Sequence, residues 1–496
     1  MENETVTSLL PLWACLSSLL AIPAIAVFGR EPALRELSTF VAGFTKLACV
    51  LLMLPVILDG KTIELTLADG VAGVNVPIAF RVDGLGMLFA LVASSLWILT
   101  SLYAIGYMRG LKEHGQTRFF AFFALSLSAT LGVAFSANLL TLYLFYEMLS
   151  LSTWPLVTHH QDREARGGGR TYLTHLLGTS IGFAIPAILF TYVKSGGDLS
   201  FAGDAILSET DLGFWPGVFL LMAFAFGFSK AGLMPFHSWL PGAMVAPTPV
   251  SALLHAVAVV KVGVFCVIRV VVDVFGVDLL AKIGSAIVLS WVAAFTVVVS
   301  SLIAMSQDNL KRRLAFSTIG QLSYIVLGVS LLSSHAVSGS MMHIAMHAFG
   351  KITLFFCAGA IFVACGKKYI SQLDGLGRRM PFTFGAFAIG AMSVTGLPPT
   401  GGLLSKFYLV WGAAEAHEFA LLGVYLVSSV LNGVYFFPIV YRAFFLSPDP
   451  SVEPGSGIRE APLACVLPLT VTAAGSVLLF FFPGLLLELA ALMSGG

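Results

Sequence analysis

Long apolar stretches recur along the whole chain and are separated by short polar connections. A helix needs about 20 apolar residues to cross the hydrocarbon core of a bilayer. The pattern therefore predicts an all-α integral membrane protein with about fourteen transmembrane helices. We expect these spans at residues 6–28, 36–58, 84–106, 118–136, 137–158, 168–193, 214–238, 247–273, 279–304, 313–334, 340–365, 381–411, 418–445 and 461–488.

The basic residues of the connections indicate an orientation. If the N-terminus lies outside, seventeen Lys and Arg fall in inner loops and only four, at 61, 81, 194 and 282, in outer loops. Inner loops of membrane proteins carry an excess of Lys and Arg. Because one missed helix would invert every later loop, the asymmetry supports fourteen spans with both termini outside. The start of the chain lacks the basic segment of a secretory signal, so we expect the first apolar stretch to be retained.

The composition agrees with a membrane protein. Of 496 residues, 57% are hydrophobic and 11% charged, whereas a soluble chain carries about 25% charged residues. The net charge of +1 gives no reason to expect a nucleic-acid partner. The six cysteines lie in apolar segments without a CxxC pair, and no Walker A or dinucleotide-binding glycine motif is present. We therefore predict no cofactor, metal or catalytic residue in this chain.

Six basic residues lie within the predicted spans. Arg269 is near a helix end and can extend its head group to the interface, and the sequence leaves the role of Lys46 open. The other four lie deeper: Lys230, Lys261, Lys351 and Lys406. A charge at the bilayer centre costs at least roughly 2.5–3.5 kcal/mol, and such residues usually mark ion pathways. Glu147 is the one clearly mid-span carboxylate, so salt bridges that fix helix packing, the alternative interpretation, cannot neutralise all four lysines.

Histidines extend this set of buried ionisable groups. His343, His347 and Lys351 are spaced four residues apart, nearly on one helix face. His255 precedes Lys261 by six residues, which is about 120° around a helix. Burial can bring such groups toward titration near neutral pH, so a water-bridged row of them could conduct protons. Three other interpretations stay open: zinc, although the glutamate of HExxH is absent, haem ligation, and simple hydrogen bonding within a helix bundle.

Two predicted spans are interrupted by proline and glycine. The first contains Pro235 and Pro241, and the second contains Pro398 and Pro399. Proline removes a backbone donor, and broken helix at membrane depth is tolerated only inside protein or beside water. Paired interruptions indicate an inverted-repeat transporter. We predict N-terminal helices at 1–117, a first five-helix repeat at 118–273, a second, inverted repeat at 279–445, and a C-terminal helix at 461–496.

These interrupted segments resemble a known family. KAGLMPFHSWLPGAMVAPTPVSALLHA at 230–256, followed by VVKVGVF, is similar to the antiporter-like subunits of respiratory complex I, membrane-bound hydrogenases and Mrp-type Na+/H+ antiporters. The resemblance continues in FRVDGLGMLFALV at 80–92, HIAMHAFGKITLFFCAGAI at 343–361 and GLPPTGGLLSKFYLV at 396–410. The chain length and RTYLTHLLGTSIGF at 170–183 lean toward the D-type Mrp subunit, whereas HAVAVVKVGVF reads partly like other branches.

The resemblance implies a role for each buried group. Glu147 and Lys230 would form an ion pair that acts as an electrostatic switch. His255 and Lys261 would continue the relay. Its remaining implied members are His343, His347, Lys351 and, at the terminal position, Lys406.

The resemblance also implies a function. The chain would be a proton-translocating subunit of a hetero-oligomeric complex in a prokaryotic plasma membrane, with other membrane subunits as partners and sodium as a candidate counter-ion. Alternatives are an antiporter-like subunit of a respiratory NADH-quinone oxidoreductase or a membrane-bound hydrogenase, an independent solute transporter, and a scaffold with salt-bridged lysines.

Overall fold

The computed structural model of this chain describes residues 4–70, 75–447 and 457–494, and only the backbone at Leu254, His255 and Ser494. Most of it is helical. The helices of the first half are α1 Leu10–Val27, α2 Pro32–Leu58, α3 Gly84–Gly110, α4 Gln116–Ala134, α5 Leu139–Val157, α6 Arg163–Thr179, α7 Ile185–Lys194, α8 Phe214–Gly227, α9 Trp239–Gly242, α10 Thr248–Ala256 and α11 Val259–Arg269. A π-helical turn at Ser180–Ala184 joins α6 to α7, and another at Val270–Phe275 extends α11.

The second half of the chain is also mainly helical. Its helices are α12 Val277–Ile283, α13 Ala286–Ser306, α14 Leu310–Ser330, α15 Ser334–Cys365, α16 Pro381–Thr395, α17 Gly402–Glu415, α18 Phe419–Phe445, α19 Leu463–Phe481 and α20 Gly484–Ser494. Short 3₁₀ turns lie at Ser229–Ala231, Ala243–Val245, Ile370–Gln372 and Leu376–Arg378.

Polar residues start several of these helices where the sequence changes from loop to apolar stretch. Asp83, Asn138 and Asp162 each accept a hydrogen bond from a backbone N–H of the first turn, at 2.9, 2.8 and 2.7 Å. A helix leaves its first four N–H groups without intrahelical partners, and such caps satisfy one of them. The predicted spans therefore begin close to where these polar residues stand.

Within the described residues, nine helical segments are long and apolar enough to cross a membrane. They are Leu10–Val27, Pro32–Leu58, Gly84–Gly110, Gln116–Ala134, Arg163–Lys194, Ala286–Ser306, Ser334–Cys365, Phe419–Phe445 and Leu463–Phe481. Three shorter apolar helices, Phe214–Gly227, Pro381–Thr395 and Gly484–Met493, fall below that length. All fourteen predicted segments contain helix, but the count of fourteen spans and the orientation with both termini outside stay predictions.

A small sheet that the apolar pattern does not predict joins the start of the chain, before α1, to the connection between α2 and α3. Strands β1 Thr5–Thr7, β2 Thr62–Ala68 and β3 Ile78–Val82 form it in that spatial order. Strand β1 pairs parallel to β2, and β2 pairs antiparallel to β3 with an irregularity between Thr66 and Ala68. These strands are far shorter than the 20-residue window that detects spans, so a search for long apolar stretches passes over them.

Helix α15 lies at the centre of the second half. It packs against α3, α10, α14, α16, α17, α19 and α20, and most of its residues are buried. A helix that is apolar all round is suited to such a position. The few polar side chains on α15 are consequently held inside the protein and away from lipid.

Candidate functional site

The two interrupted regions place a lysine each at the broken helix. After α8 ends at Gly227, the 3₁₀ turn that carries Lys230 stops at Gly232, whose φ is 73°. In the other half, α16 stops at Gly396 with φ 89°, and α17 restarts before Lys406. Both glycines occupy the left-handed region that other residues rarely adopt. The choice of glycine therefore favours the end of a helix at each of these two positions.

The prolines assigned to these breaks occupy different local structures. Pro235 lies in the turn segment after Gly232, and Pro398 and Pro399 lie in the turn between α16 and α17. Pro241, in contrast, lies within the single-turn helix α9. The first break is therefore a non-helical segment followed by a helical turn that contains its second proline.

The ammonium group of Lys230 is buried against α5. Its Nζ donates to the Ser150 hydroxyl at 2.7 Å and to the backbone carbonyl of Tyr146 at 2.9 Å. It also lies 3.0 Å from the centroid of the Tyr146 ring, where the ring's negative face attracts a cation. The lysine is thus held by neutral groups of a single helix.

Glu147 follows Tyr146 on the same turn of α5, but it forms neither a hydrogen bond nor an ion pair with Lys230. Both of its carboxylate oxygens are buried, and within the described residues neither has a hydrogen-bond partner. No carboxylate of the described chain comes within 4.0 Å of Lys230 Nζ, which bonds Ser150 and Tyr146 instead. The structure therefore holds this pair apart, and its closing as an ion pair stays a prediction.

Lys261 joins the two halves of the chain. It lies on α11, directly after an interruption at residues 257 and 258 that the apolar pattern does not predict, because that pattern indicates one helix at 247–273. Its Nζ hydrogen-bonds His347 Nδ1 of α15 at 2.8 Å. This bond connects two ionisable side chains that are both completely or almost completely buried.

The two buried histidines of α15, His347 and His343, lie next to each other beside the Lys261–His347 bond. The rings of His347 and His343 stack with centroids 5.6 Å apart. His343 hydrogen-bonds the Ser405 hydroxyl at 2.8 Å through Nδ1 and the Gln321 side-chain oxygen at 3.2 Å through Nε2. The sequence prediction that His343, His347 and Lys351 share one face is consistent with these contacts, since all three point into the protein.

Lys351 lies one turn beyond His347 and reaches α14. Its Nζ donates to the Ser317 hydroxyl at 2.9 Å, and the Tyr435 hydroxyl hydrogen-bonds the same oxygen at 3.0 Å. Tyr435 in turn hydrogen-bonds the side-chain oxygen of Asn432. The ammonium group of Lys351 therefore belongs to a small hydrogen-bond network of hydroxyl and amide groups.

Lys406 is held by the end of the broken helix. Its Nζ donates to the carbonyls of Val394 at 2.7 Å and Thr395 at 3.1 Å, the last residues of α16, and to the Ser429 hydroxyl at 3.2 Å. The ammonium also lies 4.7 Å from the centroid of the Tyr324 ring, and the His343 ring stacks on Tyr324 with centroids 5.8 Å apart. Tyr324 thus lies next to both Lys406 and His343.

None of the four deep lysines makes a salt bridge among the described residues. Their partners are hydroxyls, carbonyls, aromatic faces and one imidazole. His255 lies in α10, and its side chain falls outside the described residues, so its implied place in the relay stays a prediction.

Two other buried cations are arranged differently. Arg269, predicted to extend to the interface, is 1% exposed and forms ion pairs with Asp83 at 2.6 Å and Asp273 at 3.0 Å. Because Asp83 also caps α3, this pair ties α11 to α3. Lys46 is fully buried, donates to the Leu127 carbonyl at 3.1 Å and lies 5.3 Å from the Trp97 ring.

Two known families match most of the chain. Residues 136–432 match the family described as "NADH:quinone oxidoreductase/Mrp antiporter, TM", and residues 69–120 match "NADH-Ubiquinone oxidoreductase (complex I), chain 5 N-terminus". The chain belongs to this antiporter-like family. The resemblance noted at 80–92, 230–256, 343–361 and 396–410 falls inside these ranges, so that sequence prediction is confirmed.

Individual relatives in the family carry different names. The chain is 33% identical over 398 residues to NADH-quinone oxidoreductase subunit N of Desulforudis audaxviator, with 77% of each protein covered. It is 32% identical over 438 residues to the A1 subunit of a Na(+)/H(+) antiporter of Staphylococcus aureus strain JH9, and 31% identical over 433 residues to that of Staphylococcus haemolyticus. These alignments cover 82% of this chain, which spans about half, 52%, of each of those two relatives.

Solved structures share the fold. A chain of the Mrp complex from Dietzia sp. DQ12-45-1b superposes with a TM-score of 0.84 at 23% identity, covering 98% of this chain and 96% of the other. A chain of the membrane-bound sulfane sulfur reductase, an archaeal respiratory membrane complex, gives the same values. The fold of this family member is therefore that of a multi-pass membrane subunit.

Several hydroxyl groups of the site do not stand out in the sequence. The side chains of Ser150, Ser317, Ser405 and Ser429 each bond a buried lysine or histidine. Serines are common in apolar helices, where most bond their own backbone one turn back. Only their closeness in sequence to a buried charge could have identified two of these serines. Ser150 follows Glu147 by three residues, and Ser405 directly precedes Lys406.

Proposed function

We propose that this chain is a proton-translocating subunit of a multi-subunit membrane complex, and that protons move along its row of buried lysines and histidines. Two of the similar proteins are named as subunits of an NADH-quinone oxidoreductase and of a Na(+)/H(+) antiporter. Membership of their family and the multi-pass fold support the same kind of assembly for this chain.

The Lys261–His347 hydrogen bond is the observation that carries the proposal. A proton can pass along it from the ammonium Nζ to the imidazole Nδ1, 2.8 Å away, leaving neutral lysine and a protonated ring. The ring has a second nitrogen, Nε2, which is buried without a hydrogen-bond partner among the described residues, so the proton that it then gives up would pass to a water molecule. A lysine locked in a salt bridge would resist this exchange, because a buried carboxylate stabilises the ammonium form.

The absence of salt bridges at the four deep lysines of the described chain favours this function over the scaffold alternative. A scaffold built on salt-bridged lysines needs a carboxylate within bonding distance of each ammonium group. The neutral hydroxyl and carbonyl partners satisfy hydrogen bonds while leaving the charge uncompensated. Uncompensated ionisable groups in a membrane interior usually belong to ion or proton pathways.

The Glu147–Lys230 pair is proposed as the switch at one end of the row. Lys230 now bonds Tyr146 and Ser150, the residues before and one turn after Glu147. A change of side-chain rotamer could move the ammonium group toward the carboxylate. Closing that pair would favour the charged lysine, and opening it would favour release of its proton.

The finer assignments are also proposals. We propose a D-like subunit of an Mrp-type cation/proton antiporter in a prokaryotic plasma membrane, with both termini outside and inverted repeats at 118–273 and 279–445. The 170–183 segment supports the D-like type, while the similar proteins named above carry the designations N and A1. An origin in an NADH-quinone oxidoreductase stays the second candidate, since the alignment with the subunit N relative covers 77% of both proteins.

Ion flux through the native complex tests the proposal. Proton and sodium flux would be measured in vesicles that contain the complex with wild-type chain, Lys261→Ala or the exposed control Lys194→Ala, at matched amounts of assembled complex. A positioned proton-transfer group contributes roughly 10²–10⁴-fold to a rate, so we expect Lys261→Ala to lower proton flux at least about 100-fold.

The control should retain wild-type flux because Lys194 lies exposed at the end of α7. Sodium flux lost together with proton flux would identify the counter-ion and favour the Mrp-type assignment. Unchanged proton flux in an assembled Lys261→Ala complex would exclude the relay and bring the scaffold interpretation forward.

A further inference from the structure

Three histidines and a glutamate meet at one end of the helix bundle, away from the buried row. Glu113 and His114 lie in the connection between α3 and α4, and His159 and His160 follow α5. The ring centroids of His114 and His159 are 5.0 Å apart, and those of His159 and His160 are 5.7 Å apart. By the distribution of basic residues, both connections belong to the side predicted to be inner.

Three of these side chains hold possible ligand atoms close to one another. One such atom each from Glu113, His114 and His159 lies within 4.8 Å of the other two. In tetrahedral zinc sites with bonds near 2.0–2.1 Å, neighbouring ligand atoms are about 3.3 Å apart. The His114 side chain is 58% exposed on its loop, so it has room to make the small approach that coordination requires.

The state of His159 points to a ligand. This residue is 0% exposed, and both ring nitrogens are buried without a hydrogen-bond partner among the described residues. A buried polar group without a partner is costly, and an imidazole nitrogen is satisfied equally well by a metal ion. The backbone carbonyl of His159 accepts a hydrogen bond from Arg118 at 2.9 Å, which fixes this loop against α4.

Glu113 divides its two oxygens between the histidines on either side. Its Oε1 lies 3.3 Å from His160 Nε2, and its Oε2 lies 4.0 Å from His114 Nδ1. Oε1 therefore accepts a hydrogen bond from His160 while Oε2 faces the cluster. Metal-binding carboxylates are commonly oriented by such an outer hydrogen bond.

We propose that Glu113, His114 and His159 bind a divalent transition-metal ion of the zinc class, with His160 as the positioning residue behind Glu113. Two imidazoles and one carboxylate are a ligand set that zinc favours, and a solvent molecule completes four-coordination. Hard ions such as Mg²⁺ prefer oxygen ligands and should not compete. The metal would tie the α3–α4 connection to the end of α5.

Two residues of the proposed site also line a cavity. Glu113 and His160 line a cavity of about 650 Å³ that extends to Thr248 and Lys311. Because Glu113 lines this cavity, a metal ion bound to its carboxylate would add positive charge near the cavity wall. The proposed metal site is independent of proton translocation, since its ligands lie in connections outside the buried row.

Metal binding to the full native complex in detergent tests the proposal. The complex would be stripped with a chelator, desalted, and titrated with Zn²⁺ against a fluorescent indicator in the presence of excess Mg²⁺. The variants are His114→Ala, which truncates an exposed side chain, and Glu113→Gln, which keeps the shape of the side chain. His335→Ala is the matched control, because His335 also faces a glutamate, Glu415, at 3.0 Å but belongs to no cluster of three ligands in the described chain.

We expect wild type and His335→Ala to bind one more Zn²⁺ per chain than His114→Ala and Glu113→Gln, or to bind it at least about 10-fold more tightly. His160→Ala should weaken binding about 10–100-fold without abolishing it, as loss of an outer-shell partner does. Co²⁺ in place of Zn²⁺ should give a visible absorption band that disappears in His114→Ala. Equal zinc binding by wild type and both ligand variants, or an equal loss in His335→Ala, would overturn the site.

Discussion

The two broken helices of this protein surround their lysines with different groups. Lys406 bonds the last carbonyls of α16 at 2.7 and 3.1 Å, where the aligned peptide dipoles give a helix end partial negative charge. Lys230 has one carbonyl and one hydroxyl of α5, and the carboxylate of Glu147 lies on the same helical turn. A helix end cannot be protonated, whereas a carboxylate can.

The difference separates a fixed element from a switchable one. The charge that stabilises Lys406 is constant as long as α16 keeps its end. The environment of Lys230 changes when Glu147 gains or loses a proton, or when its side chain moves. We therefore expect control of proton movement to reside in the first break, and the second break to provide a constant site.

The two breaks nevertheless share one requirement, a backbone approach that only glycine permits. A Cβ on Gly263 of α11 would lie 2.0 Å from the Ala231 nitrogen beside Lys230. A Cβ on Gly402 of α17 would lie 1.8 Å from the Ser393 carbonyl oxygen. Backbone atoms cannot rotate away as a side chain can, so the helices would have to separate.

Alanine at either glycine should cause the largest effect. We expect Gly263→Ala and Gly402→Ala to lose most of the assembled complex, because overpacking costs roughly 1–3 kcal/mol and occasionally more. The measurement is the amount of chain that remains in the complex after detergent extraction and mild heating. Gly385→Ala in α16 is the control, since its Cβ would meet no atom within 4 Å. Wild-type assembly of Gly263→Ala would contradict the steric requirement at the first break.

Removing the titratable charge should affect only the first break. We expect Glu147→Gln to lower proton flux about tenfold, an effect of about 1.4 kcal/mol, because glutamine keeps the shape of the side chain but cannot change its charge. Assembly and thermal stability should stay near those of wild type, and Glu415→Gln, at the exposed end of α17, should leave flux unchanged. Wild-type flux in the Glu147→Gln complex would remove the distinction between the two breaks.

The breaks are predictable from sequence because proline and glycine act locally. Gly232 and Gly396 end helices in the conformation that glycine favours, and the charges of Lys230 and Lys406 stand out in apolar spans. The interruption at residues 257 and 258 is not predictable in this way, since HAVAVVKVG contains no proline and its glycine lies further on. Tertiary packing against α15 and the first break, not local preference, accompanies that interruption.

Contacts between distant segments could not be predicted from the spacing of residues. The Lys261–His347 bond joins positions 86 residues apart, and nothing in either segment specifies that α11 faces α15. The same holds for Glu113 and His160, 47 residues apart, whose meeting depends on α3 and α5 ending at the same side of the bundle. The residue types were visible in the sequence, but their pairing depends on helix packing.

The smallest expected effect compares the serine partners of the two lysines. Among the described residues, Ser150→Ala leaves Lys230 with one hydrogen-bond acceptor, the Tyr146 carbonyl, whereas Ser429→Ala leaves Lys406 with the two carbonyls of α16. A hydrogen bond to a charged group is worth about 1.5–3 kcal/mol, and less where other partners remain.

We therefore expect proton flux to change about threefold to tenfold in Ser150→Ala and less than about threefold in Ser429→Ala, because each 1.4 kcal/mol is tenfold. Flux would be measured in the same vesicles, with Ser38→Ala as the control because that hydroxyl donates to the Leu34 carbonyl within α2. A larger change in Ser429→Ala than in Ser150→Ala would contradict the ranking, because it would mean that the end of α16 does not stabilise Lys406 enough to compensate for a lost hydroxyl.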